Sequence, residues 1–112
     1  MAREMRSLRK ESLRVLLLDT RYRLLDAQEI SLGSVNESIA HPREVFRPAL
    51  LASAYAIIVV HNHPSGDPTP SPEDVDLTRR LAAAGVLLGI DLVDHLILGD
   101  RKYWSFQESA GH

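Results

Sequence analysis

The residues best suited to chemistry lie in one segment, His61-Asn62-His63-Pro64-Ser65-Gly66-Asp67-Pro68-Thr69-Pro70-Ser71-Pro72-Glu73-Asp74. Two histidines at i and i+2 of an extended chain project to the same face, so both imidazoles can reach one ion. A carboxylate in the first turn of a following helix can close on the same point. Two neutral imidazoles and one carboxylate, with a fourth position left to water, make up a catalytic zinc site more often than a structural one. Such an ion lowers the pKa of its bound water toward about 7 and polarises a carbonyl oxygen. The sequence does not separate zinc from manganese or iron, but a two-His, one-carboxylate set most often suits zinc, so one Zn2+ per chain on His61, His63 and Asp74 is the expectation.

Taken singly, each of these residues has an ordinary explanation. A histidine near a strand end is usually only a hydrogen-bonded polar residue. Asp74 could merely complement a helix dipole, and Ser71 could be only an N-cap worth about 1 kcal/mol. Their convergence is what favours a metal.

The surrounding elements explain how they would converge. Ala56 to Val60 is an uninterrupted apolar run of the fully buried strand kind, leading straight into His61. That places both histidines at the carboxyl end of a strand, where open α/β sheets build their sites. Ser71-Pro72-Glu73-Asp74 is a helix start, with serine at the cap, proline in the first turn and acids at the positive end of the dipole. Leu77, Leu81, Ala84 and Leu88 give that helix its buried face, which Asp74 shares, and Gly89 is the expected stop.

Upstream, Val15 to Leu18 and Leu24 to Ser31 read as two strands of a hairpin, with Gly33 and Asn36 punctuating the next loop. Pro42 opens a helix whose apolar stripe is Val45, Phe46, Ala49, Leu50 and Ser53, and Pro48 should kink or shorten it. Leu92 to Leu98 and Tyr103 to Phe106 read as closing strands around a Gly99-Asp100 turn. The order β-β-α-β-α-β-β predicts an α/β protein, a three-layer α/β/α sandwich with a mixed sheet.

Composition narrows the chemistry. A chain of 112 residues is one domain by length. It contains no cysteine, which excludes disulfides, iron–sulfur clusters, thiolate zinc sites and cysteine nucleophiles. A net charge of −2 offers no overall attraction for nucleic acid or an anionic membrane. Arg3, Arg6, Arg9, Lys10, Arg14, Arg21 and Arg23 crowd the first 23 positions, but Glu4, Glu11 and Asp19 interrupt them, as on a solvated face. The longest apolar run is far short of a bilayer span and no signal-peptide pattern opens the chain, so a cytoplasmic protein without a membrane segment is the default expectation.

The pattern His-x-His, seven residues, Ser, two residues, Asp is similar to the signature of the JAMM (MPN+) metallopeptidases, and His61, His63, Ser71 and Asp74 fit it without a gap. The longer string HNHPSGDPTPSPED, with LLLDTRYRLL, HPREVFRPALLASA and DHLILGD, resembles more narrowly the bacterial RadC proteins, historically called DNA repair proteins. The resemblance runs from about Glu11 to Phe106 and implies a cytidine-deaminase-like MPN fold. It also implies zinc on His61, His63 and Asp74. Glu11, at the start of the first strand, would be the general base on the zinc-bound water, and Ser71 would hydrogen-bond the developing oxyanion. The helix-hairpin-helix region typical of RadC amino termini has no counterpart here, so the chain looks like the carboxyl-terminal domain alone.

Other residues near the site have plainer roles. Glu44 competes with Glu11, but a place in a helical first turn explains it. Asp67 reads as a loop-structuring or rim residue. Asp94-His95 could suggest a second metal or a charge relay, but His95 reads rather as a core histidine or one hydrogen-bonded around the site. Trp104 and Phe106 read as core, while His41 and His112 carry no usable signal.

Three functions compete with a hydrolase acting on a peptide or protein substrate. A nucleic-acid-linked module, its metal structural or vestigial, fits the RadC name and the basic amino end but not the acidic total or the scarcity of aromatics. The tripeptide His61-Asn62-His63 does not make an HNH nuclease, whose residues are dispersed over a ββα-metal unit. A zinc deaminase would need the cysteine ligands this chain lacks.

Overall fold

The computed structural model describes residues 11–32 and 41–110. The Gly33 and Asn36 loop, His112 and the basic residues before Glu11 lie outside them. Strands β1 (Ser12–Leu18), β2 (Leu24–Leu32), β3 (Ala56–Asn62), β4 (Asp91–Leu98) and β5 (Tyr103–Ser105) form a five-stranded sheet in the order β2-β1-β3-β4-β5. Helix α1 (Pro42–Leu51) precedes β3, α2 (Pro72–Leu88) joins β3 to β4, and the short α3 (Phe106–Ala110) follows β5. β3 and β4 run parallel and every other neighbouring pair is antiparallel. This is the mixed α/β sheet expected.

Strand alternation sorts the core into two clusters. Leu13, Val15 and Leu17 of β1 and Ile57 and Val59 of β3 pack with Val45, Phe46 and Ala49 of α1 and Leu77 and Leu81 of α2. The intervening residues Leu16, Ile58, Val60, Leu96 and Leu98 form a smaller cluster on the opposite face. His61 continues the helix-facing row beyond Val59, so the sheet delivers its ring to the start of α2.

The helix boundaries follow the caps. Ser71 in extended conformation and Asp74 form a reciprocal capping box at the start of α2, and Gly89 ends it in the left-handed conformation at φ 72°. His41, which had no assigned role, caps α1, its Nδ1 accepting from Arg43 N.

Four expectations need correcting. Helix α1 runs through Pro48, itself buried, and ends at Leu51, so Ser53 of the expected stripe lies beyond it at φ 53°. Proline removes only the bond to the Glu44 carbonyl, in an exposed first turn, so the cost of keeping it is small. Leu50 and Leu88 are largely exposed, and Gly85 instead occupies the buried row of α2, where a Cβ would collide with the Ile90 carbonyl. The last strand stops at Ser105, because Ser105 Oγ accepts from Glu108 N and Asp94 Oδ1 accepts from Gln107 N, turning the chain into α3. Trp104 and Phe106 are only half-buried. No helix among the described residues is long and apolar enough to cross a membrane.

Candidate metal centre

Side chains from three elements meet at the carboxyl end of β3. His61 is its penultimate residue, His63 follows the strand, and Asp74 is the third residue of α2. One ligand atom from each lies within 4.8 Å of the others, and no further group of this kind occurs among the described residues.

Ring tautomers give the cluster its direction. His63 Nδ1 lies 2.9 Å from the Asp67 carbonyl oxygen. A carbonyl only accepts, so Nδ1 carries the proton and the neutral ring presents a bare Nε2. That nitrogen faces Asp74 Oδ2 at 3.1 Å. His61 is oriented similarly, with Nε2 3.3 Å from Glu11 Oε2 and Nδ1 3.4 Å from Asp74 Oδ1. A proton on Nε2, directed at Glu11, leaves Nδ1 bare, and Nδ1 is buried with no hydrogen-bond partner.

Both histidines thus point lone pairs at an anionic carboxylate. Acceptors facing acceptors are repulsive unless a cation, either a metal ion or a proton shared with the carboxylate, stands between them. Two atoms each about 2.0–2.2 Å from one ion at a tetrahedral angle stand roughly 3.3–3.6 Å apart, near the two His–Asp74 spacings of 3.4 and 3.1 Å in a cluster that spans up to 4.8 Å. The donor set therefore fits a divalent metal.

Electrostatics favour the metal-binding forms of His61 and Asp74. Burial is the largest influence on His61 and pushes its pKa down, outweighing the attraction of Asp74 and Glu11 for its proton. Burial also opposes ionisation of Asp74, but the hydrogen bond from the Ser71 backbone N–H prevails, and its carboxyl is held below the usual range. Neutral imidazoles and an ionised carboxylate are what a metal requires.

The first part of the loop between the candidate ligands is tied to the end of β4 and the turn after it. His63 N donates to Leu98 O at 2.9 Å, and Asp100 N donates to Gly66 O at 2.7 Å. Asp67 binds Thr69 N and Oγ1 and faces outward, the loop-structuring place expected, while its carbonyl fixes the His63 tautomer.

Glu11 reaches the cluster because β1 lies antiparallel beside β3 with Leu13 opposite His61. Ser71 Oγ accepts from Asp74 N at 3.1 Å, and its own proton remains available for donation. Glu44 is exposed in the first turn of α1, 3.8 Å from the Arg43 guanidinium.

His95 has a place the sequence only outlined. It is fully buried on β4, and burial drives its pKa down to about 3. Its Nδ1 lies 2.7 Å from Thr78 Oγ1, one helical turn beyond Asp74. Nothing in the spacing of Thr78 and His95 announces this contact.

A family model described as the RadC-like JAB domain matches residues 1–111. The chain belongs to the RadC family. Among RadC-family relatives, a UPF0758 protein of Geotalea uraniireducens is 59% identical over 103 residues, covering 92% of this chain and 45% of the relative. One from Alkaliphilus metalliredigens is 53% identical over 107 residues, 96% of this chain and 46% of the relative. An archaeal one, from Methanosarcina acetivorans, is 51% identical over 106 residues, 95% and 46% respectively. The RadC domain described here thus spans about half the length of the curated relatives it matches.

Proposed function

We propose that this domain is a zinc-dependent hydrolase of peptide or isopeptide bonds. The observation that carries the reading is the pair of bare imidazole nitrogens aimed at one buried carboxylate. The RadC-like JAB match supports it, because the ligands fall at the spacing of the JAMM signature. A bound zinc ion supplies Lewis acidity, polarising a substrate carbonyl and acidifying a water molecule to a pKa of about 7.

The chain's own residues supply the rest. His63 is held as a ligand by the Asp67 carbonyl and His61 by Glu11. Asp74 is kept anionic by its place in the capping box. The Glu11 carboxylate, partly open to solvent, takes a proton from the attacking water and returns it to the leaving amine. Ser71 accepts from the helix with one lone pair and donates its hydroxyl proton to the oxygen that becomes negative.

The test is an assay of the zinc-loaded domain on quenched peptides and lysine-isopeptide substrates, beside Glu11→Gln. Loss of a base contribution of about 10²–10⁴-fold with zinc retained is the expected result. Equal cleavage by the variant, or no amide cleavage by the zinc-loaded parent, would overturn the reading.

A further inference from the structure

A histidine with no solvent exposure lies under the cluster, and one of its nitrogens has no partner. The row it occupies on β4 is otherwise apolar, with Leu92 and Ile97 on the same face of the sheet and Val59 beside it in register. An imidazole there costs solvation that an aliphatic side chain would not.

The connections of His95 run to two of the three candidate ligands. Thr78 Oγ1 donates to the Asp74 main-chain carbonyl at 2.8 Å, so the hydroxyl lone pair, 2.7 Å away, receives the His95 Nδ1 proton. The His95 ring also stacks on His61, with centroids 6.0 Å apart and planes 28° from parallel. Phe106 closes its other side at 5.0 Å and 19°. One side chain from β4 therefore braces the α2 turn that carries Asp74 and the ring plane of His61.

We propose that Thr78 and His95 are positioning residues that set Asp74 and His61 for the ion, without binding it themselves. The inference rests on the metal reading above and adds to it two residues outside the His-x-His, Ser, Asp pattern. Supporting groups around metal ligands typically contribute 10–100-fold in affinity. If the pair served only the fold, exchanging both partners for apolar groups of similar shape would leave metal binding alone and be near neutral for stability.

The deciding variant is the double replacement Thr78→Val with His95→Leu, which leaves neither partner unsatisfied. Zinc affinity is measured by competition with a chromophoric chelator, and ligand geometry by the visible absorption of bound Co2+. Both are read where circular dichroism shows the proteins folded, with urea stability of the metal-free forms alongside. The expected result is a roughly 10–100-fold weaker zinc affinity and an altered Co2+ spectrum, with metal-free stability equal or higher. Thr78→Ser, which keeps the hydroxyl, should bind as the parent does. A double variant with parental zinc affinity and Co2+ spectrum would overturn the positioning role and leave the metal site standing. A parent that takes up no zinc would remove both.

Discussion

His63 Nε2 and Asp74 Oδ2 face each other at 3.1 Å with the His63 ring proton committed to Asp67 on its far side. Two ligand atoms held at that distance by a strand end and a helix start can share one cation. The rigidity of both supports matters. His63 is tied to β4 through its main chain, and Asp74 is locked by the two hydrogen bonds it exchanges with Ser71.

Asp74→Asn separates the ligand from the cap. An amide oxygen still accepts from Ser71 N, so α2 keeps its start and loses about 0.3–1 kcal/mol of charge–dipole stabilisation. Zinc affinity should fall by at least about 100-fold, beyond the loss expected for a merely supporting group. Calorimetric titration checks both: parental affinity in a folded variant contradicts the ligand assignment.

Acidification should destabilise the metal-free domain. Folded His95 stays neutral down to about pH 3, whereas an unfolded histidine takes a proton near 6.5. Burial lowers the His61 pKa as well. Between the folded and unfolded values the unfolded chain binds more protons, so stability rises with pH there and is fully present above the unfolded value. Asp74 is depressed from 3.8 and adds its own loss only below that. Urea midpoints with a chelator present should be level above about pH 7.5 and fall from pH 6.5 toward 4. A flat profile, or one that improves on acidification, would contradict the buried neutral histidines.

Gly99→Ala should damage the site from a distance. A Cβ at Gly99 would collide with Gly66 O and lie 2.7 Å from Pro68 Cδ and 2.9 Å from Pro68 N. Backbone must then move in the loop that carries His63 and Asp67. Overpacking of this kind costs about 1–3 kcal/mol, and zinc affinity should fall with it. Parental affinity in this variant would show that loop and ligands are not coupled.

Ser71→Ala tests two roles at once. Loss of the cap should cost about 1 kcal/mol in unfolding free energy. Zinc uptake should persist, since Ser71 is not a ligand, while amide hydrolysis should drop by about 10²–10³-fold. A hydrolysis rate unchanged beyond the stability effect would reduce Ser71 to a cap.

The candidate metal cluster was legible in the sequence because local periodicity brings its three residues together. The i, i+2 histidines need only an extended chain, and Ser71-Pro72-Glu73-Asp74 specifies both the helix start and the inward face of Asp74. Glu11 was legible only through family resemblance, because its approach depends on β1 pairing with β3, a contact 50 residues away in sequence. The Thr78–His95 bond depends likewise on how α2 lies over β4. Phe106 reads as strand from its composition, yet Ser105 and Asp94 supply caps that turn the chain into a helix. Side-chain capping outweighed aromatic strand propensity there.

The decisive measurement is the zinc content of the purified chain by elemental analysis after reconstitution and dialysis. About one zinc per chain is expected in the parent and near none in a folded His61→Ala, His63→Ala, Asp74→Asn triple variant. A parent that remains metal-free, or a triple variant that retains the zinc, would contradict the metal assignment.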